Sequence, residues 1–335
     1  MNEVVEALLD PQAYGEEEIE EIRLLQTHIS YVFLTGKYAY KLKKPVDFGF
    51  LDFTTLDKRK FYCEEELRVN RRLARDMYLE LVQINKSEAG IAVKGPGDTV
   101  EYAVKMKELP QECIMANMLG ENEVRKEHVE EIARTLADFH SRAATGDGID
   151  EYGALEQVTA NWTQNFDQAQ HLRGRIIDVE TFDFIEKKIK SFLEREKRIF
   201  EERIALGRVR ECHGDVHSGN IFIVDDRIYI FDAIEFNKAF SCSDVASEIA
   251  FLTMDLEFHG RTDFSELVTK RYVEKSGDEG LKDLLPFYKC YRAYVRAKVS
   301  GFRLQENGIS KEEKREPEEL TKRYFELASN YAAAI

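Results

Sequence analysis

A chain of 335 residues, 43% hydrophobic and 33% charged, is long enough to bury a core without disulfide staples. Its 63 acidic residues against 48 basic ones leave a net charge of −15, which argues against general binding to nucleic acid or to an anionic membrane. No apolar run approaches the ~20 residues of a membrane span. The acidic start Met1-Asn2-Glu3 lacks the basic region of a signal peptide, and the five cysteines are scattered without C-x-x-C spacing. The expected setting is therefore the cytoplasm, with reduced thiols.

In chain order, residues 22–26, 31–34 and 38–42 read as strands, the last two joined at Thr35-Gly36-Lys37. Strand alternation puts Ala39, Lys41 and Lys43 on one face and Tyr38, Tyr40 and Leu42 on the other. Thr54-Thr55-Leu56-Asp57 resembles a capping box. The helix behind it carries Cys63, Glu66, Leu67, Asn70, Leu73 and Ala74 at helical spacing, with Glu66 inward and Glu65 outward. Residues 81–84, 91–94 and 100–106 complete an antiparallel sheet, read as five-stranded, with turns at Glu88-Ala89-Gly90 and Gly95-Pro96-Gly97-Asp98. Met106-Lys107-Glu108-Leu109-Pro110 then leaves the sheet, so a boundary is set at 110, with residues 1–110 in one lobe and 111–335 in a second, mainly helical one. In that second part, Val129, Ile132, Ala133, Leu136, Phe139 and His140 form an amphipathic stripe ending in a core histidine. Residues 154–206 form a helical insert, in which Trp162 is expected to pack rather than to bind. A later helix over 283–304 shows a stripe of Leu284, Tyr288, Tyr291, Val295, Val299 and Phe302, with Arg292 and Arg296 on its edge.

The chemistry concentrates in His213-Gly214-Asp215-Val216-His217-Ser218-Gly219-Asn220. Two short β-rich runs follow, residues 221–224 and 228–231, joined by Asp225-Asp226-Arg227. Such a hairpin brings Asn220, before its first strand, close to Asp232, after its second. An amide oxygen beside a carboxylate is a hard-oxygen pair suited to Mg²⁺, which takes its remaining ligands from water and substrate phosphates. Asp215, five residues before Asn220, then faces an incoming hydroxyl, the spacing H-x-D-x-x-x-x-N that protein kinases use.

The form H-G-D-x-H-x-G-N, followed by Asp232-Ala233-Ile234-Glu235-Phe236 and Asp244-Val245-Ala246, resembles the aminoglycoside phosphotransferase family of small-molecule kinases. The resemblance covers about residues 22–305 and is strongest at 213–248. It implies a two-lobed, protein-kinase-like α+β fold and transfer of the γ-phosphoryl group of ATP or GTP to a hydroxyl of a small molecule. Ala39-Tyr40-Lys41 matches the strand lysine that reaches the nucleotide phosphates, and Glu66 its partner. Ser30 would cover the phosphates, and backbone groups of Lys107 and Leu109 would read the base. Asn220 and Asp232 would hold Mg²⁺, and Asp215 would take the hydroxyl proton. His213, His217 and Asp244 would support the loop.

For the acceptor, Glu235, Asp255 and Glu257 suit an ammonium group, whereas Arg292 and Arg296 suit a carboxylate or phosphate. A third account pairs these charges with each other inside the lobe. A neutral or amino-bearing polyol fits best. Three departures matter. Residues 26–30 carry no G-x-G-x-x-G, Gly214 stands where protein kinases have arginine, and nothing after Asp232 resembles D-F-G or a regulatory loop. The last two count against a kinase acting on a peptide. A nucleotide-binding regulatory module without turnover is the other alternative, and the intact Asp215, Asn220 and Asp232 argue against it.

Overall fold

The computed structural model describes residues 1–15, 18–305, 310 and 312–335. The chain opens with helix α1 (Asn2–Ala7) and three strands, β1 (Arg23–Gln26), β2 (Ser30–Leu34) and β3 (Tyr38–Lys43). Helix α2 (Leu56–Asn70) leads to β4 (Tyr78–Ser87), β5 (Gly90–Val93) and β6 (Asp98–Lys107). Helices α3 (Met115–Gly120), α4 (Lys126–Arg142), α5 (Leu155–Ala169), α6 (Val179–Arg195) and α7 (Lys197–Ala205) come next. Strand β7 (Val209–Glu211) precedes the H-G-D stretch, and β8 (Ile221–Val224) and β9 (Arg227–Ile230) follow it. The rest is α8 (Lys238–Ser241), β10 (Cys242–Asp244), α9 (Val245–Phe258), α10 (Thr262–Ser276), α11 (Leu281–Phe302) and α12 (Arg315–Ala333). The class is α+β, and none of the described helices is long and apolar enough to cross a membrane.

The chain divides into two compact units, Met1–Glu121 with Gly219–Ser241, and Asn122–Ser218 with Cys242–Ile335. The first unit thus runs past residue 110 and takes in the β8–β9 hairpin from later in the chain. Its sheet is antiparallel with order β1-β2-β3-β6-β4-β5. It has six strands instead of the five expected, because all six strand-like runs find a partner. Alternation along β3 sorts its residues between two cores. Ala39 packs with Leu34, Val104 and Met106 against Cys63 and Leu67 of α2 and against Phe222 and Tyr229 of the hairpin. Tyr40 and Leu42 point to the other face, with Phe33, Val82, Ile84 and Ala103, under Val4 of α1 and Leu8 just after it. Helix α2 is capped by Thr55, whose hydroxyl accepts the Lys58 N–H at 3.2 Å.

In the second unit, β7 pairs with β10 (Val209↔Asp244), so the strand entering the H-G-D stretch is held by the one leading into α9. Helix α9 is buried along nearly its whole length. On α11 the expected stripe holds only in its first half. Leu284 and Tyr288 are buried, but Val299 and Phe302 are 51% and 41% exposed, because the buried face there runs through Tyr294, Ala297 and Gly301. Trp162 is 1% exposed among Phe166, Phe287, Tyr291 and Tyr294, a packing role.

Candidate active site

In the first unit the two strand lysines converge on one carboxylate. Lys41 and Lys43 stand on the same face of β3, and the inward face of α2 delivers Glu66 between them. Glu66 is fully buried. Its Oε1 lies 2.8 Å from Lys41 Nζ as an ion pair, and its Oε2 accepts a hydrogen bond from Lys43 Nζ at 2.8 Å. Burial works against its charge, but the two ammonium groups overcome this and hold the carboxyl down at about 2. The same burial would lower both lysines. Asp232 and Glu66 outweigh it at Lys41, and Glu235 and Glu66 at Lys43, so both stay firmly protonated. The Cys63 thiol beside them is pushed up to about 12, chiefly by burial.

The lysines then diverge. Lys41 Nζ donates to Asp232 Oδ1 at 2.6 Å, with the Asp232 side chain 46% exposed. Lys43 is 1% exposed and donates to Glu235, while lying 4.9 Å from the Phe53 ring centre. Antiparallel pairing of β8 with β9 (Ile221↔Ile230), extended by the Phe231 N–H donating to the Asn220 carbonyl at 3.0 Å, sets Asn220 and Asp232 at the two ends of one hairpin. Asp232 sits at φ +64°, a strained conformation for a non-glycine residue. Its neighbours hold it there: the Asp232 N–H donates to Tyr78 Oη at 3.1 Å and the Ala233 N–H to Asn70 Oδ1 at 2.8 Å. Asn70 in turn donates to the Glu66 carbonyl at 2.9 Å. Sequence reasoning placed Asn70 on the inward face without a role and missed Tyr78. The signal for Asn70 was its position one turn beyond Glu66. As a donor set, the Asn220 amide oxygen and the half-exposed Asp232 carboxylate fit a hard divalent cation.

In the second unit, α9 braces the H-G-D stretch. Gly214 takes φ +91°, which glycine adopts at no cost. Its N–H donates to Glu248 Oε1 at 2.7 Å and its carbonyl accepts from Arg292 at 3.2 Å. The Ser218 N–H donates to Asp255 Oδ2 at 2.8 Å. Glu248, Phe251 and Asp255 form one stripe of α9, with the His217 ring 5.3 Å from that of Phe251. Glu248 Oε2 lies 2.7 Å from His140 Nε2, and His140 Nδ1 lies 2.8 Å from Tyr272 Oη. Cys212 belongs to the same cluster. Both imidazole nitrogens and both Glu248 oxygens are engaged, so this is a hydrogen-bond network, not a metal centre. Burial opposes the Glu248 charge, and His140 and the Gly214 amide hold the carboxyl at about 2 despite it.

The Asp215 side chain is 36% exposed, with Oδ2 3.6 Å from His217 Nε2. Burial would raise its carboxyl, but His217, Arg296 and His213 hold it at about 2. Asp215 in turn raises His217 against the effect of burial. His213 is buried and its Nδ1 accepts the Asp215 N–H at 3.3 Å.

Several expected roles fall elsewhere. Ser30, the first residue of β2, is 1% exposed with its hydroxyl buried, so it does not offer itself to phosphates. Lys107 spends its N–H on the Met77 carbonyl at 2.8 Å, and the Leu109 carbonyl accepts from Gln111 at 3.3 Å. Base reading by this segment would therefore use the Lys107 carbonyl and the Leu109 N–H. Asp244 caps α9 through the Ala246 N–H (2.8 Å) and pairs with buried Arg203 (2.6 Å), which also holds Asp278. Bracing of the loop passes from Asp244 to Glu248 and Asp255. Of the residues assigned to the acceptor, Glu235 is committed to Lys43 in the first unit. Glu257 holds Lys289 (2.6 Å) and the Ser265 and Tyr331 hydroxyls. Asp255 and Arg292 hold the loop, and Arg296 donates to Tyr324 Oη at 3.4 Å. Internal partners thus account for the contacts these five side chains make.

Residues 62–267 match the profile of the family described as "Phosphotransferase enzyme family". An uncharacterised protein of Mycobacterium tuberculosis (strain ATCC 25618 / H37Rv) is 32% identical over 285 residues, 85% of this chain and 56% of that protein. One of Mycobacterium bovis matches to the same extent. The chain thus spans about half the length of the curated relatives it matches. Among solved structures, the GDP complex of aminoglycoside 2'-phosphotransferase-IIIa superposes with a TM-score of 0.56 at 12% identity, covering 97% of this chain and 99% of that one. A choline/ethanolamine kinase family protein from Mesorhizobium loti gives 0.53 at 12% identity, covering 97% of each. At such identities these likenesses speak for the fold.

Proposed function

Because the chain belongs to the phosphotransferase enzyme family, we propose that it transfers the γ-phosphoryl group of ATP or GTP to a hydroxyl of a small molecule. The observation that carries this reading is the convergence of Lys41, Glu66 and Asp232 in one cluster, with Asn220 at the other end of the Asp232 hairpin. Glu66 fixes Lys41, whose ammonium would meet the nucleotide phosphates. Asn220 and Asp232 would hold Mg²⁺, which when bound supplies charge neutralisation at those phosphates. Asp215, held ionised, accepts a hydrogen bond from the acceptor hydroxyl at neutral pH. Being a weak base it orients that oxygen first. It then takes the proton as the bond from acceptor oxygen to γ-phosphorus forms and the bond from phosphorus to the β–γ bridging oxygen breaks.

The acceptor class is a sugar, amino sugar or related polyol, and the setting is the cytoplasm. A net charge of −15 and a half-exposed anionic Asp215 favour neutral or amino-bearing acceptors over anionic ones. The relevant assay is nucleoside diphosphate release against a panel of sugars, amino sugars, sugar acids, amino alcohols and nucleosides. Asp215→Asn is expected to keep nucleotide binding and lose ~10²–10⁴ in turnover. A folded Asp215→Asn variant with near-normal kcat would remove Asp215 from this role.

A further inference from the structure

The second unit buries a lysine that the proposed chemistry does not use. Lys298 of α11 is 8% exposed. Its Nζ donates to two carboxamide oxygens of α5, Asn165 Oδ1 at 2.6 Å and Gln168 Oε1 at 2.7 Å. Buried Arg203 and Lys289 meet carboxylates, those of Asp244 and Glu257. Among the described residues no carboxylate pairs with Lys298, whose ring contact, Phe302, has its centre 5.9 Å away. The titratable neighbours are Tyr291, against Asn165, and His171, stacked on Phe302, and neither is an anion at neutral pH. Burial therefore goes unopposed and lowers the Lys298 amine to about 8.

The hydrogen bonds favour the neutral form as well. An ammonium has three N–H donors and an amine two, and two acceptors are present. Lys298 can shed its third proton and keep both bonds, which leaves a nucleophilic lone pair on Nζ. Beside it stands a donor in need of an acceptor. Asn165 Nδ2 is buried against the Tyr291 hydroxyl without a hydrogen bond of normal geometry. Burial keeps that hydroxyl protonated, so it too can donate. Gln168 lies exposed at the rim and is free to turn. The amine thus has acceptors for its own N–H groups and, next to them, spare donors for an anion formed upon it.

We propose that Lys298 is a carbamylation site, with carbon dioxide as the co-reactant. The Nζ lone pair forms a bond to the carbon of CO₂, one C=O π pair moves onto oxygen, and one amine proton leaves to solvent, giving Lys–NH–COO⁻. The remaining N–H still donates to Asn165 Oδ1, and the carbamate oxygen on the same side accepts from Asn165 Nδ2, closing an amide-type pair. Gln168 swings outward to make room. The reaction puts a negative charge on the helix whose Arg292 holds the Gly214 carbonyl.

The test is ¹³C NMR of the full chain, labelled with ¹⁵N at lysine Nζ and equilibrated with ¹³C-bicarbonate, so that a carbamate on the N-terminal amine shows no splitting. One ¹³C resonance split by ¹⁵N is expected, and it grows as pH rises through about 8, where Nζ loses its proton. It should vanish in Lys298→Arg. In Asn165→Asp it should fall about tenfold or more, because a carboxylate beside Nζ keeps the amine protonated and repels the carbamate. Circular dichroism verifies folding of both variants. No split resonance in the wild-type protein, one that persists in folded Lys298→Arg, or one undiminished in folded Asn165→Asp would each overturn the assignment.

Discussion

Replacing Glu66 by glutamine tests the lysine cluster most directly. The substitution keeps the shape and removes one charge from a fully buried carboxylate that two ammonium groups share at 2.8 Å each. A carboxyl held at about 2 in place of its ordinary 4.5 corresponds to about 3 kcal/mol of preference for the charged form. This is at the low end of the ~3–5 kcal/mol lost when one partner of a buried pair is removed. The sign follows from the depressed value. The contribution is fully present above the unfolded carboxyl range and is lost as pH falls from about 4.5 towards 2. Glu66→Gln should therefore cost about 3 kcal/mol at pH 7 and progressively less below pH ~4. The chain's one tryptophan, Trp162, lies in the second unit, so its fluorescence would miss the change. Native-state hydrogen exchange of the β3 and α2 amides reads the first unit itself. Unchanged exchange free energies in those elements at pH 7, or a deficit that stays constant down to pH 2.5, would refute the reasoning.

Lys41→Ala should depress turnover far more than Lys43→Ala, because Lys41 alone reaches half-exposed Asp232, whereas Lys43 is shut in with Glu66 and Glu235. Lys43→Ala should instead show up as lost thermal stability, since it strands two buried carboxylates, and equal losses of kcat in both variants would contradict this division. Asp232→Ala should abolish metal-dependent nucleotide binding and Asn220→Ala weaken it, by calorimetry with and without Mg²⁺; unchanged affinity in both would remove the pair from that role. Glu248→Gln should lower stability by about 2–4 kcal/mol, as it removes the charge of a buried carboxylate hydrogen-bonded to His140 while leaving the Gly214 N–H an acceptor. A denaturation midpoint equal to wild type would mean that the loop does not depend on that carboxylate.

The parts of this arrangement that were legible in sequence are those fixed over short distances along the chain. Strand alternation alone puts Lys41 and Lys43 on one face of β3, and helical spacing alone turns Glu66 inward. A tight hairpin must place Asn220 and Asp232 at neighbouring ends whatever surrounds it. Tyr78 and Asn70 were not legible as supports of Asp232, because each acts across more than 150 residues of chain on a backbone N–H that no motif advertises. Glu248 was hidden similarly. The Asp244-Val245-Ala246 element drew the eye to Asp244, yet the residue one helical turn further on faces Gly214, and the register of α9 against the loop decides between them.

The partners of the charges assigned to the acceptor were hidden in sequence for a different reason: sign of charge does not reveal partner. Glu235 and Glu257 look alike as anions on paper, but one follows Asp232 into the lysine cluster and the other faces Lys289 across two helices. Arg292 looks like an anion clamp, but it lies 4.9 Å from the Phe251 ring centre and donates to the Gly214 carbonyl. Inside a lobe, an ion left without a partner costs several kcal/mol, so most buried charges are taken by other parts of the chain. Acceptor selectivity is then to be sought in groups that keep an accessible polar edge. Asp215 is one such group, and for this reason the charge preference of the substrate panel bears on Asp215 more directly than on any of the five side chains first assigned to the acceptor.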